Sequence, residues 1–117
     1  MYRYSDETVA RACHAVNDIM KDAQDDPGPS VPFSWMPPEE QEIVIAGVRA
    51  ARQGATPREL FDRWASAKRA LGWTWGPARD PDRKTHPNLV AYDDLPAAQR
   101  DKDRVFLAIV TAMTVTG

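Results

Sequence analysis

The chain has 117 residues, 43% of them hydrophobic and 27% charged, with a formal net charge of −2. That length supports one domain with its own core, not two. The slight acidity excludes the broad Lys/Arg surplus that draws a protein to nucleic acid, so no nucleic-acid partner is expected.

No apolar run approaches the roughly 18–20 residues that cross a bilayer, so no membrane partner is expected either. Cys13 is the only cysteine, which precludes an internal disulfide and suits a reducing compartment. The opening stretch MYRYSDETVARACHAV has acids where a signal peptide would be apolar, and a cytoplasmic location is expected.

In chain order, the first predicted element is an amphipathic helix from about Ser5 to Gln24. Ser5 caps it, Asp6 and Glu7 favour its first turn, and Val9, Cys13, Val16 and Met20 form the buried stripe, widened by Ala12 and Ile19. The proline-rich segment 25–38 breaks it, and Phe33, Trp35 and Met36 are expected to fold back over the core. A second helix runs from about Pro38 to Gln53, with glutamates at its positive end, Arg49 and Arg52 at the other, and Gly54 as its stop.

The third helix has the fullest set of signals: Thr56 as cap, Pro57 at the first helical position, Glu59 as capping-box acid, and Gly72 as terminator. Leu60, Phe61, Trp64, Lys68 and Leu71 lie along one side. These two helices are predicted to form an antiparallel hairpin. WTWG (73–76) reads as a short extended piece, PARDPDRKTHP (77–87) as a polar loop, and NLVAY (88–92) as a second strand able to pair with the first. Pro96 opens a last helix to about Met113, with Val105, Phe106, Ile109, Val110 and Met113 facing inward. The predicted fold is mainly α: four helices with a short two-stranded β element.

The residues Trp64 and Lys68, then GWTWGPARD (72–80), KTHPNLV (84–90), Tyr92, Leu95–Pro96, Gln99–Arg100 and Lys102–Asp103 resemble the RyR domain, the repeat of ryanodine-receptor channels. That domain also occurs in small stand-alone bacterial and phage proteins. ARACH (10–14), AGVRAA (46–51) and TPREL (56–60) also match those stand-alone members. The resemblance thus spans about residues 8–112 of a single domain over 1–117, with its core at 56–103. Trp75 stands where tyrosine is common, and Asn88 where cysteine is common. The resemblance implies a compact, mainly helical fold. In the channels the repeats pack as pseudo-symmetric pairs that can hold an adenine nucleotide between them. One copy per chain then implies a homodimer.

Trp64, Trp73 and Trp75 admit two readings: aromatics that close a small core, or a wall on which a planar ligand stacks. In an extended segment residues i and i+2 share a face, so Trp73 and Trp75 are expected on one side. A base stacked on an aromatic ring is worth roughly 1–3 kcal/mol, so even a two-sided stack falls short of the ~8 kcal/mol of micromolar binding. Charged groups must add to it.

Lys68, Arg79, Arg83, Lys84 and His86 supply donors nearby, and Asp80 and Asp82 supply acceptors or local ion-pair partners. The same residues also suit a solvated loop with surface ion pairs. His86, fixed by Pro87, is a ligand donor or a pin for the loop, and Asp80 a contact or a loop brace.

The candidate ligand-binding set is therefore Trp64, Lys68, Trp73, Trp75, Arg79, Asp80, Arg83, Lys84 and His86. No nucleophile elbow, phosphate-binding glycine loop or metal spacing occurs, and adjacent Cys13 and His14 diverge on a helix. The expected function is non-enzymatic: a domain binding an adenine nucleotide or nucleotide-derived signal, without metal or resident cofactor. The alternative is a protein–protein interaction module or structural subunit using the same aromatic surface.

Overall fold

The computed structural model describes residues 1–23 and 31–117, so Gln24 and the first part of the proline-rich crossing lie outside the described residues. Four helices account for most of the rest: α1 (Asp6–Ala23), α2 (Pro38–Arg52), α3 (Pro57–Ala70) and α4 (Ala97–Met113). Two short strands, β1 (Thr74–Trp75) and β2 (Thr85–His86), pair between α3 and α4.

The helix starts follow the local chemistry. The Ser5 hydroxyl accepts the Thr8 amide at 3.1 Å at the head of α1. At α3 the capping box is complete: Thr56 Oγ1 accepts the Glu59 amide at 3.2 Å, and the Glu59 carboxylate accepts the Thr56 amide at 3.1 Å. Both α2 and α3 end in the same way. Gly54 and Gly72 adopt positive φ (97° and 90°), and the next residue's amide reaches back to the third-last helical carbonyl. Those bonds are Ala55 to Ala50 (3.0 Å) and Trp73 to Lys68 (3.1 Å).

Two apolar clusters form the interior. One gathers Val9, Cys13, Phe33, Val48, Leu60 and Val110, joining all four helices. The other gathers Phe61, Ala65, Trp73, Leu89 and Leu95 under α3 and the strands. Adjacent Leu60 and Phe61 project from α3 into different clusters, so this helix belongs to both.

Three expectations are corrected. Ile19 is exposed, because it sits about 120° around α1 from Cys13. Trp35 is also exposed, at 76%: the 3₁₀ turn Phe33–Trp35 directs Phe33 and Met36 inward and Trp35 away. The second strand is not NLVAY. Leu89 and Leu95 are consumed by the second cluster, Tyr92–Asp94 form a 3₁₀ turn, and the pairing falls earlier, at Thr85–His86.

The pairing is parallel, Thr74 with Thr85 and Trp75 with His86. The intervening loop folds on itself first, through reciprocal Asp80–Thr85 backbone bonds of 3.0 and 3.1 Å, and that reversal sets the direction of β2. Gly76 permits the close approach, since a Cβ there would lie 2.5 Å from Thr85 Cβ.

Arg52, predicted only as a favourable charge at the end of α2, is a tertiary hub. Its side chain is 3% exposed, with Nη1 2.7 Å from Asp6 Oδ1, Nη2 donating to the Tyr4 carbonyl at 2.9 Å, and Nε to Thr114 Oγ1 at 3.3 Å. It ties both chain ends to α2. Arg52→Ala is expected to lower unfolding free energy by about 2–3 kcal/mol, because the Tyr4 carbonyl loses its donor and Asp6 keeps only its bond from the exposed Arg49. Denaturant unfolding checks this, and a change below half a kcal/mol would contradict the hub role.

Candidate functional site

A cleft of about 1310 Å³ runs between the two apolar clusters, with walls from α1, α2, α3, α4 and the loop around Pro77–Arg79. It exceeds the few-hundred to ~1,000 Å³ of ordinary small-molecule pockets. Of the nine residues predicted as a site, Trp64, Lys68, Arg79 and His86 line it.

Trp64 projects from the middle of α3 and is half-buried. Its indole meets the His86 imidazole edge to face at 4.9 Å between centroids, and Phe61 at 5.8 Å. His86 in turn accepts the Asn88 amide on Nδ1 at 3.0 Å, which assigns the proton of its neutral form to Nε2. The loop after Pro87 is pinned through that bond.

Lys68 lies one turn further along α3 and is 4% exposed. Its Nζ donates to both oxygens of Glu40 on α2, at 2.6 and 2.8 Å, and sits 4.0 Å from the centroid of the Trp73 ring. Burial pulls the ammonium below the ordinary lysine range, while the Glu40 bonds oppose that shift. Trp73 lies beneath this pair and is 6% exposed, so its ring is not a stacking surface.

The expectation that Trp73 and Trp75 share a face is therefore wrong. Trp73 is not yet in the strand; its amide closes the end of α3 on Lys68, which turns its ring into the second cluster. Trp75, within β1, is 58% exposed and does not line the cleft.

Arg79 faces the cleft with its guanidinium carbon 5.7 Å from the Trp73 centroid, and it makes no ion pair among the described residues. The rest of the loop is occupied with its own geometry. Asp80 Oδ1 accepts the amides of Asp82 and Arg83 at 3.0 and 3.3 Å, which makes it a brace. Arg83 is solvent-exposed, 3.8 Å from Asp80. Lys84 adopts a left-handed φ of 55° and donates Nζ to the Leu71 carbonyl at 2.8 Å, capping α3.

The structure adds residues that the sequence reading left out. Glu40, Asn88, Gln99 and Asp103 all line the cleft. Asn88 Nδ2 donates to Gln99 Oε1 at 3.0 Å, and Gln99 and Asp103 stand four residues apart on α4, hence on one side of it. Burial pushes the Asp103 carboxyl up to about 7, opposed by the charge of Lys102. The Gln99–Asp103 spacing was visible in the sequence; that it faces a cleft was not. Cys13 also lines the cleft, but burial pushes its thiol up to about 12, which leaves it unreactive at neutral pH.

This is a helical domain whose cleft has an aromatic wall flanked by charged groups. Residues 48–115, more than half of the chain, match the model of the RyR domain. The protein belongs to the RyR domain family. Among the described residues no helix is long and apolar enough to cross a membrane.

Asp103 gives a pH test. Its folded value, about 7, lies above the ordinary 3.8, so the folded state holds a proton that the unfolded chain releases in between. The Asp103 contribution to stability therefore falls as pH rises from about 4 to 7. Asp103→Asn removes it, so its melting temperature relative to the parent protein is expected to rise between pH 4.5 and pH 8. An unchanged difference would contradict the burial argument.

Proposed function

We propose that this domain is a non-enzymatic binding module for an adenine nucleotide or a nucleotide-derived signal, which it senses or sequesters in the cytoplasm of a bacterial cell. The observation that carries this reading is the half-buried Trp64 indole on a cleft wall, with the Arg79 guanidinium facing the same cleft. A planar base stacks on the indole, and an anionic group of the ligand meets the guanidinium. Trp73 supports this from below by holding Lys68 in place, rather than by touching ligand.

A one-sided stack is worth about 1–3 kcal/mol, so Trp64→Ala is expected to weaken binding by roughly 5- to 150-fold. Calorimetric titration with ATP, ADP, ADP-ribose and cyclic dinucleotides checks this. Absence of saturable binding at millimolar concentration for all of them would falsify the reading.

A second copy supplies the opposite stacking face, in keeping with paired repeats elsewhere in the family, so the proposed working form is a homodimer. Light scattering with and without nucleotide is expected to show a dimeric mass at least when ligand is present. A monomeric mass in both conditions would remove the second face.

Trp35, exposed at 76%, favours a second reading, in which the domain docks a protein partner through this side. Partner binding sensitive to Trp35→Ala and indifferent to Trp64→Ala would support that reading over the first.

A further inference from the structure

We propose that the cleft selects a planar ligand of low negative charge over a polyphosphate, and that Glu40 is the residue that sets this limit. This rests on the nucleotide reading above and narrows it to a class: mononucleotide-like or cyclic species, not triphosphates.

Lys68 is the most buried cation of the cleft, yet both oxygens of Glu40 already accept from its ammonium, at 2.6 and 2.8 Å. Glu40 lines the same cleft, so an anion approaching Lys68 meets a carboxylate already bonded to it. The pair is neutral and its hydrogen-bonding geometry satisfied, and displacing Glu40 would strand a half-buried negative charge.

The loop cations do not make up the deficit. The Lys84 ammonium is bonded to the Leu71 carbonyl, and Arg83 points to solvent beside Asp80. Arg79 remains as the guanidinium that lines the cleft, over the buried Trp73 ring, without an ion pair among the described residues. Lys21 and Lys102 also line the cleft, but each is already engaged, and the charge of Arg63 acts on the Glu59 carboxylate one helical turn before it. Asp103 adds negative charge as it ionises. One guanidinium matches one phosphate; each further phosphate enters the cleft without a partner, which a partly desolvated site does not tolerate.

The test is a calorimetric series with AMP, ADP and ATP at pH 6.5, where base and ribose are constant and only charge grows. For the parent protein the affinities are expected to stay within about threefold or to fall along the series. Glu40→Gln releases the Lys68 ammonium, and ATP is then expected to bind about tenfold or more tightly than AMP. The parent series decides the matter even if Glu40→Gln unfolds.

Parent protein that binds ATP tenfold or more tightly than AMP overturns the charge limit but leaves the nucleotide site intact. A folded Glu40→Gln variant with an unchanged series overturns the role of Glu40. No saturable binding of any of the three overturns the charge limit together with the nucleotide reading.

Discussion

Lys68 carries a charge into the interior of a small domain, and the arrangement that makes this tolerable organises the molecule. Desolvating an ammonium costs several kcal/mol, and here two charge-assisted hydrogen bonds to Glu40 and the face of Trp73 offset it. The pair joins α2 to α3. Trp73 is delivered to it by the turn at Gly72, whose positive φ lets the Trp73 amide close on the Lys68 carbonyl. One residue thus anchors a helix contact, a helix end and the floor of a cleft. Removing either charge alone leaves the other buried without its partner, which makes the pair a constraint more than a source of stability.

From that anchor the cleft follows. α3 runs between two apolar clusters, and the space left between them opens onto Trp64, one helical turn before Lys68. The strands contribute by holding His86 against the Trp64 ring, in a register set by the Asp80–Thr85 reversal and the missing Cβ of Gly76. The loop is rich in charge, yet most of that charge is spent on the loop itself. What the strands and loop bring to the cleft is a narrow set: the Arg79 guanidinium, the His86 imidazole, and Asn88, which starts a polar row through Gln99 to Asp103.

The fold was legible where the signals were local. Caps at Ser5 and Thr56, prolines at helix starts and glycines at helix ends placed all four helices, because each acts within a turn of its own position. The strand pairing was not legible, since it depends on a loop that reverses through backbone bonds no residue type announces. Trp73 and Trp75 show the same limit. The two-residue period holds only inside a strand, and Trp73 belongs to the end of a helix. Trp64, Lys68, Arg79 and His86 were found by residue type near a distinctive run of glycine, tryptophan and proline. Glu40 lies 28 residues before Lys68, and nothing in its surroundings marks it as that lysine's partner.

Of the four tryptophans, Trp64 is the one that the proposed planar anionic ligand touches. Two-dimensional NMR of the four indole N–H groups during titration with AMP addresses it directly, because each ring reports separately. The Trp64 signal is expected to move saturably and the exposed Trp35 and Trp75 signals to stay in place. Movement of Trp35 or Trp75 with Trp64 unaffected would contradict it.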